Sequence, residues 1–138
     1  MSTIPLRSPK TKMAGWVHLP RFVDKIRLHF VGKLPADYQS SFCGGFDGHW
    51  LQTAGVAKET FLETVRAAKD DAAVEKWVRE NVRKTPEEIE VFNRFVLNRG
   101  RNDDASARVK ELKEKSGLAA RADIQTFVDL IEADEGRL

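Results

Sequence analysis

His18-Leu19-Pro20-Arg21-Phe22-Val23-Asp24-Lys25-Ile26-Arg27-Leu28-His29-Phe30 is the stretch on which the reading of this chain turns. Its apolar residues fall at 19, 22, 23, 26 and 30, the three-and-four spacing of one helix face. Pro20 suits the first turn of that helix, where its missing N–H costs no hydrogen bond. Gly32 and Pro35 end it. His18, Arg21, Lys25 and His29 run along the border of the apolar arc as a basic stripe, and Asp24 falls on the other side.

The same spacing recurs outward from this segment. Residues 1–12, with Pro5 and Pro9, read as an extended arm, and Met13–Leu19 fits a short helical turn. Residues 35–48 form the main irregular segment, with Gly44, Gly45 and Gly48. Asp47 is placed to cap a short helix through Trp50 to Ala54, closed by Gly55. A helix over about Ala57–Lys69 presents Phe61, Leu62, Val65 and Ala68 on one face. Asp70 or Asp71 caps the next, whose stripe is Val74, Trp77, Val78 and Val82. Thr85-Pro86-Glu87-Glu88 combines an N-cap threonine, a first-turn proline and a glutamate at the third position, which is a capping box. That helix buries Ile89, Phe92, Phe95 and Val96 and ends at Gly100. Asp104 opens another through Val109 and Leu112, closed by Ser116-Gly117-Leu118. A last one carries Ile124, Phe127, Val128 and Ile131 and stops at Gly136. No strand and no internal repeat stands out. Short connections then predict an all-α chain, with residues 1–138 as a single compact bundle of about six or seven helices and an extended N-terminal arm.

Length and composition agree. A chain of 138 residues has the size of one ordinary domain, and such a domain buries about 70% of the surface its unfolded chain exposes. The charge is uneven. Residues 1–33 hold seven Lys/Arg against one acid, whereas the remainder holds sixteen against twenty. A net charge of +2 gives the whole chain no bulk electrostatic preference, so any such preference resides in the N-terminal segment. One cysteine, Cys43, makes no disulfide within the chain and fits a reducing compartment. No apolar run approaches a membrane span, and Ser8-Pro9-Lys10-Thr11-Lys12 stands where a leader peptide needs its apolar core. A soluble, cytoplasmic protein without a membrane partner is expected.

Several parts of the sequence together resemble a known family. After His18-Leu19-Pro20-Arg21-Phe22-Val23-Asp24-Lys25-Ile26-Arg27 come Gly32-Lys33-Leu34-Pro35 and Asp37-Tyr38. Later come Phe46-Asp47 with Trp50-Leu51 and Gly55-Val56, and Thr85-Pro86-Glu87-Glu88-Ile89 with Phe92-Asn93. Over most of the chain this pattern resembles an uncharacterised bacterial domain-of-unknown-function family of small proteins. The resemblance implies a mostly helical, cytoplasmic domain and carries no catalytic residue across.

Three constellations bear on chemistry. In the first, His18, Arg21, Lys25 and His29, with Asp24, Asp47 and His49 as polar partners, suit a small anion, phosphate or carboxylate. Arg offers a planar fork, Lys a point charge, and Arg21 lies near a helix N-terminus. The favoured account of the same residues is structural: they snorkel along the rim of the apolar face and pair with acids of the C-terminal half, among them Asp123, Asp129, Glu132, Asp134 and Glu135. In the second, His18 and His29 are eleven apart and Cys43 and His49 six apart, which matches no common metal pair, so no metal or cofactor is expected. In the third, the loop Cys43-Gly44-Gly45-Phe46-Asp47-Gly48-His49 lacks the glycine–lysine–serine ending of a nucleotide P-loop and reads as a turn. A thiol nucleophile at Cys43 with His49 as base is the minor alternative.

These readings leave a non-enzymatic helical binding or interaction domain, with a protein partner, in front. The alternative is a small-anion site or enzyme built from the 18–29 helix and the 43–49 loop. Nucleic-acid binding through the basic N-terminal segment stands last, because no helix carries a dense basic face.

Overall fold

The computed structural model describes residues 6–138, so the first five residues of the expected arm lie outside the described residues. Its elements, in order, are β1 (Lys12–Met13), β2 (Trp16–Val17), α1 (Leu19–Phe30), α2 (Ala36–Gln39), α3 (Gly45–Ala54), α4 (Lys58–Ala67), α5 (Asp71–Asn81), α6 (Pro86–Asn98), α7 (Ser106–Lys115) and α8 (Phe127–Asp134). The fold is mostly helical, with eight helices and one very small sheet among the described residues. No helix of these residues is long and apolar enough to cross a membrane. The chain divides into two compact units, residues up to Phe92 and Asn93–Leu138.

In the N-terminal unit, the helical turn expected over Met13–Leu19 is instead a hairpin. Lys12 pairs with Val17 and Met13 with Trp16 in antiparallel register. Ala14 and Gly15 turn it with φ of 53° and 88°, the positive pair of a type I′ turn. Two-residue strands are too short to show alternation, and alanine is a poor sign of such a turn. Leu6 is buried, so this end of the arm is packed rather than free.

The predicted α1 stripe is buried at Leu19, Phe22, Val23 and Ile26, but Phe30 is 43% exposed. Residues 35–48 are not one loop. A single helical turn, α2, forms after Pro35, and α3 starts at Gly45, so Asp47 lies inside the first turn of α3 rather than capping it. Asp70 caps α5 by accepting from the Ala73 amide. Trp16, Phe22, Trp50, Phe61 and Phe92 are each no more than 2% exposed. Their rings meet in series, with Trp16 on Trp50 and Phe92, Phe22 on Trp50 and Phe61, and Trp50 on Phe61 at centroid distances of 4.7–6.3 Å. Burying such rings contributes roughly 2–3 kcal/mol each, and edge contacts add to it. The capping box is present, with Glu88 N–H donating to Thr85 Oγ1 (3.1 Å) and Thr85 N–H to Glu88 Oε1 (3.2 Å).

In the C-terminal unit, Val96, Val109, Ile124 and Val128 are buried. Phe95, expected inside, is 39% exposed and lies under the Arg99 guanidinium. Asp104 does not open α7. Asp103 organises that entry by accepting from the Gly100 and Ala105 amides, and Asp104 pairs with Arg99. Leu118 N–H closes α7 on the Lys113 carbonyl. Thr126 caps α8 by accepting from Asp129 N–H (3.0 Å), which leaves Ile124 buried ahead of the helix rather than on it.

Candidate functional site

The N-terminal unit buries an aspartate between a histidine and a lysine of the predicted stripe. Asp47 is fully inaccessible, His18 is 2% exposed and Lys25 5%. His18 stands at the N-cap of α1 with φ of 71°, and Lys25, about two turns further along the helix, reaches the same carboxylate. His18 Nε2 lies 2.6 Å from Asp47 Oδ1, and Lys25 Nζ donates to Oδ2 at 3.2 Å. The Cys43 amide donates to Oδ2 at 3.1 Å from a backbone with φ of 63°. Two non-glycine residues therefore hold left-handed conformations around one carboxylate, a cost the surrounding contacts must offset.

Charge balance fixes the protonation state. Asp47 and Lys25 already neutralise each other in a dry site, so a protonated His18 would leave an excess buried cation. Burial accordingly holds the His18 pKa below its ordinary value, against the opposing pull of Asp47. A neutral imidazole facing a carboxylate donates through Nε2–H. Its Nδ1 is then a buried acceptor with no hydrogen-bond partner among the described residues. Burial also pushes the Cys43 thiol up, with the Asp47 charge adding to it. The thiol stays protonated at neutral pH, which is the opposite of an activated nucleophile.

The other predicted site residues go elsewhere. Arg21 is buried, donates to the Arg7 carbonyl (3.2 Å) and lies over the Tyr38 ring. Asp24 accepts from the Arg7 amide, Nε and guanidinium at 2.8–3.1 Å. His29 is exposed between the rings of Phe30 (5.3 Å) and Phe42 (4.7 Å). His49 stacks on Phe92 with ring centroids 5.5 Å apart. Of the seven, only His18, Lys25 and Asp47 meet around one atom group.

A second cluster escaped sequence reading. Arg7 bridges Asp24 (2.9 Å) and Asp71 (2.7 Å), and Arg27 reaches the other Asp71 oxygen at 2.6 Å. Its Asp24 bonds raise the Arg7 pKa further. Desolvation works to raise Asp71, yet the Arg7 and Arg27 hydrogen bonds outweigh it and hold that carboxyl below the usual range. Arg7 and Asp71 are 64 residues apart, and nothing local in the sequence announces the pair. Of the bases in residues 1–33, Arg7, Lys25 and Arg27 thus pair with Asp24, Asp47 and Asp71. Among the acids of the C-terminal half, Asp123 pairs with Arg121, and Glu132 and Glu135 with Arg137.

Among the described residues, no three His, Cys, Asp or Glu side chains gather as a metal site. What the geometry defines is a mostly helical domain in which His18, Lys25 and Asp47, and likewise Arg7, Arg27, Asp24 and Asp71, engage one another. The chain belongs to a family described as a domain of unknown function, DUF5069, whose model matches residues 3–137. No curated protein matches it.

Proposed function

We propose that residues 1–138 act as one non-enzymatic binding domain that docks a protein partner through the exposed C-terminal end of α1. A single family model spanning 3–137 supports treating the chain as one unit. The observation that carries the reading is the exposed run His29–Lys33, in which Phe30 is 43% and Val31 65% accessible and His29 packs on the Phe42 ring. The segment is rigid. Gly32, at φ of 69°, ends α1 in a Schellman closure, with Lys33 N–H on the Leu28 carbonyl (2.8 Å) and Gly32 N–H on His29 (3.1 Å). Rigid exposed aromatics lose little freedom on binding and suit anchor positions. Lys33 is exposed beside them and the Arg66 guanidinium lies 5.7 Å from the Phe30 ring centre. The fitting partner presents an apolar side chain flanked by acids.

The competing readings have less to draw on. A small-anion or enzyme site between the 18–29 helix and the 43–49 loop needs cations that Asp47 and Tyr38 already engage. Nucleic-acid binding through the basic segment would draw on exposed Lys10, Lys12 and Lys33, since Arg7, Lys25 and Arg27 are held in ion pairs, and three lysines make no dense basic face. The lone Cys43 suits a reducing, cytoplasmic setting.

The test is affinity enrichment with the wild type and a Phe30→Ser/Val31→Ser variant, followed by titration of the purified captured protein. The variant should weaken the Kd by about 30-fold or more, as loss of an anchor pair does. Equal retention by a variant with an unchanged circular dichroism spectrum overturns the proposal.

A further inference from the structure

The C-terminal unit holds a cleft of about 510 Å³, a volume in the range of small-molecule sites. Buried Val109 and Ile124 give it an apolar floor, and Arg101, Lys110, Lys113 and Glu114 supply three cations against one acid. No aromatic side chain lines it, so it offers a nucleobase no stacking surface.

Its cations stand differently from Arg7, Lys25 and Arg27, which are held in ion pairs. Lys113 Nζ is pinned by the Arg121 carbonyl (2.6 Å) and the Ile124 carbonyl (2.9 Å), which uses two of its three N–H groups. Arg101 donates to the neutral Asn98 amide oxygen (2.9 Å). Neither Arg101 nor Lys110 has an acidic partner within ion-pair distance among the described residues: Asp103 and Asp104 are taken by Arg99 and Glu111 by Arg108 and Lys115, which leaves Glu114 as the one acid of the lining.

The loop that carries Arg101 is braced. Gly100 N–H donates to Asp103 Oδ2 (2.9 Å), Asp103 N–H to Ser106 Oγ (2.9 Å), and Ser106 Oγ–H to the Gly100 carbonyl (2.8 Å). Asn102 adopts a φ of 51° at its tip. A charged rim on a rigid loop over an apolar floor is preorganised for a ligand with one anionic end and a short apolar body.

We propose that this cleft binds a small alkyl carboxylate, with the carboxylate between Arg101 and Lys110 and the alkyl chain on Val109 and Ile124. The test is a titration of the ¹⁵N-labelled full chain followed by amide chemical shifts, using hexanoate, hexylamine and inorganic phosphate as probes. Hexanoate should give saturable shifts confined to residues 100–125, with a Kd of about 1 mM. The exposed double variant Arg101→Glu/Lys110→Glu should weaken that binding by at least about tenfold, and Lys110→Gln by less, at unchanged Tm. If the double variant unfolds, Arg101→Gln/Lys110→Gln takes its place. Absence of saturation overturns the proposal, as does unchanged affinity in the variants. Equal response to hexylamine removes the anion requirement, and equal response to phosphate removes the apolar one, and either result also overturns it.

Discussion

Both units carry exposed local ion pairs, such as Arg66–Glu63 in the first, but the N-terminal unit adds pairs of long range. In the N-terminal unit, Asp47 joins residues 22 and 29 positions away, and Asp71 joins residues 44 and 64 positions away. In the C-terminal unit, Arg121 pairs with Asp123 two residues on, and Arg99 with Asp104 five residues on. The side chains of His18, Lys25 and Asp47 are 0–6% exposed, whereas that of Asp104 is 84% exposed. A buried pair carries a large desolvation cost and tolerates only one arrangement of its partners, whereas an exposed local pair adds little and specifies little. The first unit is therefore held in register by its charges. The second rests on packing, caps and a close backbone approach.

The comparison breaks most readily at Asp47. Asp47→Asn keeps the shape of the side chain and removes its charge, leaving the Lys25 ammonium buried without a counter-ion. Stability should fall by about 3–5 kcal/mol, and Tm by roughly 10–17 °C for a chain of this length. Lys25→Met/Asp47→Leu removes both charges together and should recover much of that loss, since apolar replacement of a whole buried pair is often near neutral. Urea denaturation of the three proteins checks it. A loss below about 1 kcal/mol in Asp47→Asn would mean that the pair is solvated, and the contrast between the units would fail.

The C-terminal counterpart is Gly100. Its φ of 99° disfavours any side chain, and a Cβ there would stand 2.4 Å from Val109 Cγ2. Gly100→Ala should cost about 1–3 kcal/mol, from positive φ and overpacking together. Adding Val109→Ala removes the clash and leaves the backbone part, so the double variant should cost less than the sum of the two singles. Amide hydrogen exchange should show the loss concentrated in residues 93–138. Loss spread evenly over the chain would show that the position does not belong to the C-terminal unit alone.

What the sequence disclosed follows the range of the interactions. The capping box at Thr85 was legible because both partners lie within four residues. The aromatic faces of α1, α4 and α5 were legible because helical spacing repeats. The hairpin and α2 were not, since two residues of strand or one turn of helix leave no period to detect. The stripe of His18, Arg21, Lys25 and His29 was visible as a stripe. Which of its members meet Asp47 depends on where α3 lies against α1, and that is a tertiary fact. Arg7 and Asp71 carry no local sign at all.

His18 gives a smaller effect, a slope with pH. Its folded-state pKa lies below the unfolded value of about 6.5, so the unfolded chain binds a proton more readily than the native one. Stability is then full above the unfolded pKa and declines as pH falls through it toward the folded pKa. In His18→Gln, which retains a donor for Asp47, that decline should be absent. Tm measured from pH 8 down to about 5 should converge for the two proteins as pH drops. Parallel curves would mean that His18 titrates alike in both states and is not desolvated.

Asp104→Ala should do least. Its carboxylate is exposed and hydrogen-bonds to Arg99 at 2.6 Å, and this bond holds it below the usual carboxylate range. That lowered pKa is a local preference for the charged form at the surface, not a measure of stability, because water replaces the partner at little cost. Arg99 also keeps a second acid in Asp103 at 3.4 Å and its place over the Phe95 ring. Tm should stay within experimental error of the wild type, and added salt should leave the difference unchanged. A drop comparable to that of Asp47→Asn would show the Arg99 pair to be as dry as the Asp47 one, and both units would then depend on their ion pairs.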